Sequence, residues 1–438
     1  MSLLNLPELL ALESARSVIR IPPEIDVPVT QRVMRLIDTK PFRRLAKISQ
    51  LGLVAQVYPG ATHTRFEHSL GVYRLALLYL RSLAVQADFA ERVDEEQAKI
   101  FVIAALFHDI GHWPFCHPIE DIRLLEIPRH EGLARNILCN SEIADCLRED
   151  WGIDPLQVAE VIAPSGERQP NILASMLSGP IDIDKMDYLD RDSLHAGVPY
   201  GRNFDRQRLI GAMCIGPTGN ELAITSKGKT AAEMMVFARY VMFSEVYWHH
   251  AVRSATAMLQ RAVYEFRNRL DVATHWTGMI DSEMTESLMT LASNSPVAGL
   301  VDGLFATRRR LYKRMLQFDS FEHPEIHRGL SRRPFGELVS FSQRIAERLS
   351  SQLGITVSPC DVLIDAPPAK LEVQFRVSVR NPQGNFCSLE ELSPVVRALA
   401  TQQFDDVVKK VRIFVAPEIQ HKCREFDITE LLHQIIEE

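Results

Sequence analysis

Six of the 14 histidines fall between residues 63 and 130: His63, His68, His108, His112, His117 and His130. Carboxylates stand among them at Glu67, Asp109, Glu120, Asp121 and Glu131. A lone histidine is most often a surface residue or a satisfied core residue. Histidines interleaved with acids at the ends of apolar stretches are a different matter. His108-Asp109 closes the run AKIFVIAALF at 98–107, which is apolar nearly all round. A carboxylate buried there costs several kcal/mol unless it is paired or bound to a metal. One divalent metal ion is the economical answer. Imidazole and carboxylate ligands together suit Mn, Fe, Zn, Ni or Co, with Mg the oxygen-seeking alternative.

The second chemical element is DIDKMDYLDRDS at 182–193. On a helix advancing ~100° per residue, Asp184, Tyr188 and Asp192 fall within roughly 80° of one another, and Lys185 borders that face. One stripe therefore offers a metal ligand, a cation, an aromatic ring and a second carboxylate. A nucleotide needs that set: metal and lysine for phosphates, a ring and an acceptor for the sugar. A solvated, salt-bridged helix would explain the segment equally well if it stood alone.

These residues need elements to hold them. Most of 29–320 reads as helix, with apolar residues recurring at three and four: Val33, Leu36, Ile37; Leu70, Tyr73, Leu77, Leu80; Phe237, Tyr240, Val241. The apolar 98–107 segment marks a helix in the middle of a helical domain. From about 355 the texture changes. DVLIDAP (361–367), LEVQFRVSV (371–379) and VRIFVAPEI (411–419) are of strand length and β-branched or alternating, with helix-like stretches at 388–407 and 428–437. Small hairpins are expected at 15–30 and 212–230. The fold expected is mainly α, with a helical domain over 1–330 and a C-terminal α+β module over 331–438.

Composition bounds the function. With 438 residues, 46% hydrophobic and 24% charged, the chain is an ordinary globular one and not disordered. A net charge of −7 argues against sequence-blind coating of nucleic acid. Seven cysteines with no CxxC pair fit free thiols in a reducing compartment. No apolar run approaches the roughly 18 residues of a membrane span, and MSLLNLPELLALE lacks the basic start of a secretory signal. The location expected is cytoplasmic.

Taken together, HTRFEHSLG (63–71), LFHDIGHWPFCH (106–117), His130-Glu131 and DIDKMDYLDRD (182–192) resemble the HD-domain deoxynucleoside triphosphate triphosphohydrolases. The upstream stretch RRLAKISQLGLVAQVYPGATHTRFEHS matches that family too, and the likeness runs over about 30–260 in consistent order. By motif position it implies that His68, His108, Asp109 and Asp184 hold the metal. It implies that His112 orients or deprotonates the attacking water, with Glu120 (where the family usually has Asp) and His130 in the same relay, and Glu131 a weaker candidate. His117 would be the general acid toward the departing sugar oxygen. Arg65 and Lys185 would bind the triphosphate, and Gln50, Tyr188 and Asp192 the deoxyribose. VYWHHAVRS (246–254) resembles the family helix that adds a phosphate-binding arginine. Arg253 is the best candidate there, with His249 and His250 as alternatives.

The implied reaction is cleavage of a dNTP at the α-phosphorus to deoxynucleoside and triphosphate. A cyclic dinucleotide phosphodiesterase of the HD-GYP kind would need a GYP-type motif and further histidines, and a guanosine tetraphosphate hydrolase a different sequence after its His-Asp pair. The two surviving alternatives are a nucleoside 5′-monophosphatase using the same four ligands and a catalytically silent nucleotide sensor. TRRRLYKR (307–314), with Arg332 and Arg333, reads as a solvated basic face or as a site for an anionic effector or single-stranded nucleic acid. Cys360, Cys387 and Cys423 read as structural thiols. The resemblance further implies a homodimer or tetramer and a nucleotide effector.

Overall fold

The computed structural model describes residues 3–14, 17–166, 171–368, 376–401, 408–424, 426 and 428–437. After a short helix at Pro7–Ser14 comes a hairpin of β1 (Val18–Ile21) and β2 (Ile25–Pro28), followed by α1 (Gln31–Ile37). Helices α2 (Arg65–Leu83), α3 (Glu95–Phe107) and α6 (Ile183–Ala196) form the centre of the N-terminal part, with α4 (Cys116–Glu120) and α5 (His130–Asn140) between α3 and α6. Each central helix starts on a side-chain cap. Thr64 accepts from the Glu67 amide, Asp94 and Gln97 form a reciprocal capping box, and Asp182 accepts from the Lys185 amide. Gly197, at φ 71°, ends α6 in the left-handed conformation that glycine adopts without strain.

Helix α3 carries no polar face over its last two turns. Ile100 to Phe107 are all buried, so α3 is covered on every side and delivers His108 and Asp109 into the protein interior. Beyond it the chain turns back at Gly111. A Cβ there would come within 2.6 Å of the Ala134 amide nitrogen, so only glycine lets this loop lie against α5. Phe115, at φ 54°, then starts α4.

Further along, the elements that matter here are β3 (Met213–Ile215), β4 (Leu222–Thr225), α7 (Lys229–Met242), α8 (His250–Glu265), β5 (Lys313–Phe318), α9 (Phe335–Leu353), β6 (Val362–Asp365), β7 (Ser378–Arg380), β8 (Phe386–Ser388), β9 (Val411–Val415) and α10 (Ile428–Glu437), with shorter helices between them. One sheet has the order β3-β4-β7-β8, with β4 and β7 parallel and Ile224 opposite Val379. The other is antiparallel, β5-β9-β6, with Phe318 opposite Val411 and Val362 opposite Val415.

Both hairpins expected near the N-terminus and at 212–230 are present, as are strands within 361–367 and 411–419. The strand expected at 371–379 lies mostly outside the described residues. One expectation is corrected: KRMLQF (313–318), inside the span read as helical, is strand β5. Its apolar positions are covered by β9, nearly a hundred residues later, which periodicity within 313–318 could not announce. Sheet pairing also ties the two halves of the chain, since β5 joins β9 and β4 joins β7.

Two apolar cores result. One surrounds α2, α3 and α6; the other surrounds α8, α9 and the β5-β9-β6 sheet. Trp113, Cys116 and Ile119 belong to the second core, while Phe107 and Ile110 belong to the first. The segment carrying His108, His112 and His117 therefore crosses the seam between them. Among the described residues no helix is long and apolar enough to cross a membrane.

Candidate metal centre and phosphate-binding cleft

Three helices bring His68, His108 and Asp184 together. His68 Nε2 lies 3.1 Å from Asp184 Oδ1 and 3.1 Å from His108 Nε2, and the three ligand atoms lie within 4.8 Å of one another. Asp109 Oδ1 is 3.4 Å from His108 Nε2, at the edge of this group, while its Oδ2 accepts from Arg65 Nη1 at 2.7 Å. Burial works against ionisation of Asp109, but His112, His108 and Arg65 outweigh it and hold the carboxyl well below its usual range. His68 is wholly buried, yet Asp184 and Asp187 overcome that burial and push its pKa up to about 10. Two imidazoles facing each other beside ionised buried carboxylates form a donor set that calls for a positive ion, and it fits a divalent metal.

Behind His68 stands a second layer. Its Nδ1 is 2.8 Å from Asp187 Oδ2, and Arg191 grips Asp187 with Nε at 2.7 Å and Nη2 at 2.8 Å. Arg191 Nη1 also donates to Glu67 Oε1 at 2.6 Å, which pairs in turn with His195 Nε2 at 2.8 Å. Asp187 thereby fixes the hydrogen on His68 Nδ1 and leaves Nε2 free as a ligand. Gly71, one turn beyond His68, makes room for this arrangement. A Cβ there would sit 2.7 Å from Asp187 Cγ and collide with Arg191 Nη2.

Next to the metal group lies a histidine relay. His112 Nδ1 faces Asp109 Oδ1 at 3.2 Å, and its Nε2 lies 3.2 Å from His117 Nε2. His130 tilts against His112 with ring centroids 4.1 Å apart, and its Nδ1 pairs with Glu120 Oε2 at 2.9 Å. Burial in the cleft and the Arg65 charge hold His112 well below the usual imidazole range, and they lower His117 as well. His117 keeps an exposed ring edge, so an incoming anion can reach it and draw a proton onto it. Arg44 clamps the loop, donating to the His112 carbonyl at 2.8 Å and the Met279 carbonyl at 3.2 Å. Glu131 is exposed, 3.5 Å from His130 Nδ1.

Along α6 the remaining candidates follow in order. Lys185 Nζ rests on Asp182 and donates to the Gly179 carbonyl at 3.1 Å, and it lines a small recess together with Met235, Val236 and Arg239. Tyr188 meets Tyr247 edge-on with centroids 6.4 Å apart. Asp192 accepts from Tyr247 Oη at 2.6 Å and pairs with His63 Nε2 at 2.9 Å, and His63 stacks on His195 at 4.3 Å. Gln50 Oε1 and Arg65 Nε are buried without a hydrogen-bond partner among the described residues, as are His63 Nδ1 and Trp113 Nε1. Buried polar atoms of this kind call for a ligand or water.

Arg253 stands elsewhere. Its guanidinium is buried, bonded to both oxygens of Asp365 on β6 at 2.6–3.2 Å, and lies 3.9 Å above the Trp248 ring. Its charge is committed to the second core, and Arg239 is the arginine that accompanies Lys185. His249 caps α8 through the Ala251 amide, and His250 is exposed beside it. The sequence reading also missed Asp187, Arg191, Tyr247 and His195. Only the i, i+4 spacing of Asp187 and Arg191 hinted at their pairing.

Comparison with known proteins places the chain in a family. Residues 65–192 match the HD domain and residues 204–434 the HD associated region. The uncharacterized protein MJ1154 of Methanocaldococcus jannaschii is 26% identical over 416 residues, covering 94% of this chain and 82% of that protein. The human deoxynucleoside triphosphate triphosphohydrolase SAMHD1 is 30% identical over 273 residues, 55% of this chain, and the chain spans 43% of that protein's length. A crystal structure of a hypothetical protein from Aquifex aeolicus superimposes with a TM-score of 0.70 at 25% identity, over 93% of this chain and 99% of that one. The chain belongs to the HD-domain phosphohydrolase family, with the HD domain followed by the HD associated region.

Proposed function

We propose that the protein hydrolyses deoxynucleoside triphosphates to deoxynucleoside and inorganic triphosphate. The observation that carries this reading is the order of groups along α6. Asp184 joins the histidine pair, Lys185 shares a recess with Arg239, Tyr188 faces Tyr247, and Asp192 lies at the far end. That order would let metal, phosphate and sugar contacts follow one another along a bound nucleotide. The similarity to human SAMHD1 supports the choice of substrate.

His68, His108, Asp109 and Asp184 would hold one divalent ion. When bound, that ion polarises a phosphoryl oxygen and eases deprotonation of water. Lys185, Arg239 and Arg65 would take the triphosphate charge. His112, with its Nδ1 hydrogen directed at Asp109, presents the Nε2 lone pair to the attacking water. His117 gives its proton to the departing O5′ once the triphosphate charge has raised its affinity for that proton. Glu120 and His130 hold this pair from behind. Gln50 and Asp192 would bond the 3′-hydroxyl, and Tyr188 would crowd a ribose 2′-hydroxyl. A dimer or tetramer with a nucleotide effector completes the reading, checked by light scattering with and without nucleotides. Turnover of each dNTP and each nucleoside monophosphate, with products separated by ion exchange, tests the reaction. Orthophosphate from monophosphates would favour the 5′-nucleotidase instead.

A further inference from the structure

The HWPFCH segment carries a thiol that the mechanism above does not use. Cys116 opens α4, is 1% exposed, and has its Sγ grouped with ring nitrogens of His112, His117 and His130, all four ligand atoms within 4.8 Å of one another. His112 Nδ1 is bonded to the Asp109 carbonyl at 3.3 Å and His130 Nδ1 to Glu120 at 2.9 Å, which leaves Nε2 of each ring available. His117 offers Nε2, 3.2 Å from that of His112. A backbone carbonyl behind one ring and a carboxylate behind the other are supports that metal-bound imidazoles take.

We propose that His112, Cys116, His117 and His130 form a second cation site, selective for a thiophilic divalent ion of the zinc class, whose filling stops the relay. Three imidazoles and one thiolate match the tetrahedral set that zinc and cobalt favour and that Mg and Mn do not. Zinc–nitrogen bonds of about 2.0–2.1 Å place ligand nitrogens about 3.4 Å apart, near the His112–His117 separation, so the other atoms close by at most about 1.4 Å. Arg65 and Arg44 are the positive groups close by: Asp109 neutralises Arg65 at 2.7 Å, and Arg44 is turned to the His112 carbonyl, to which it donates at 2.8 Å. On binding, the ion takes a lone pair from each of the three imidazole rings and from the Cys116 thiolate, and the thiol proton leaves to solvent. One proton is released per ion and no electrons are exchanged. With both Nε2 atoms coordinated, His112 cannot hold water and His117 cannot give a proton. The inhibition rests on the functional reading above; the binding does not.

The test uses the full-length protein titrated with Co²⁺ and then Zn²⁺. The expected result is two equivalents per chain and a near-ultraviolet thiolate-to-cobalt charge-transfer band. The first centre contains no sulfur, so the band reports the second site alone, and it should persist in His68→Ala. Cys116→Ser should lose the band and the second equivalent. It should keep its basal dNTP turnover and need at least about tenfold more Zn²⁺ for half inhibition, the scale of a lost metal contact. A single equivalent without the band, or a band unchanged in Cys116→Ser, would overturn the site. Both binding readouts hold if the protein turns over no dNTP, so loss of the functional reading and loss of this site are told apart. Binding with full retention of turnover at saturating Zn²⁺ would overturn the switch.

Discussion

Replacing Gly71 by alanine pits two effects of opposite sign against each other. In an ordinary helix interior this change stabilises a protein by about 1 kcal/mol, because alanine restricts the unfolded chain. Gly71 sits on α2 under the Asp187–Arg191 pair, where a Cβ meets Asp187 Cγ at 2.7 Å and collides with Arg191 Nη2. Neither partner can swing to solvent, since both are 3% exposed and Arg191 is also tied to Glu67 at 2.6 Å. Overpacking costs about 1–3 kcal/mol and disrupting a buried ion pair about 3–5 kcal/mol. Taking the disrupted ion pair as the larger cost and subtracting the gain of about 1 kcal/mol leaves a net destabilisation of about 2–4 kcal/mol. The displaced carboxylate is the one that orients His68, so metal affinity should fall about 10–100-fold. Urea unfolding measures the first effect, and competition with a chromophoric chelator the second. Gly132→Ala is the control: it lies on α5 with open space around it, and should gain up to about 1 kcal/mol without changing metal affinity. A Gly71→Ala protein as stable and as metal-avid as the parent would refute the role given to Asp187 and Arg191.

Arg253→Ala should cost about 3–5 kcal/mol of stability by stranding Asp365, with KM for nucleotide changed less than threefold in whatever folds; a large KM effect at unchanged stability would return Arg253 to the phosphate site. His117→Gln should lower kcat by about 10²–10⁴-fold and leave the manganese content of Mn²⁺-loaded protein, which reports the His68–His108–Asp184 centre, intact, as measured by elemental analysis beside steady-state rates. Lys185→Ala and Arg239→Ala should each raise KM for a triphosphate by about 10–100-fold, the worth of one charge-assisted contact, and do so far less for an uncharged nucleoside competitor.

The clustering of His108 and Asp109 with other polar groups was legible because the pair ends a helix with no polar face, a position that only pairing or a metal ion can justify. The α6 stripe was legible for a similar reason, since a four-residue spacing survives folding unchanged. What lay hidden depended on distant chain. Asp187 is three residues beyond Asp184 on the flank of that stripe, and its partner His68 is 119 residues away. Arg253 was read as a phosphate ligand because its partner, Asp365, is 112 residues downstream on a strand that helical spacing cannot bring near. Residues 313–318 show the same limit: their strand character comes from β9, and sheet propensity is largely a matter of such cross-strand cover. Arg239 went unnoticed because nothing in α7 alone marks it; its meaning comes from the recess it shares with Lys185.

The reaction itself gives the most direct test. Protein loaded with Mn²⁺ is incubated with each dNTP singly and then in mixtures, and the products are separated by anion exchange. The expected result is inorganic triphosphate and deoxynucleoside in equal amounts, abolished in His68→Ala and Asp184→Ala. Orthophosphate or pyrophosphate released from the triphosphate chain, or no turnover of any dNTP or mixture by protein shown to carry metal, would contradict it.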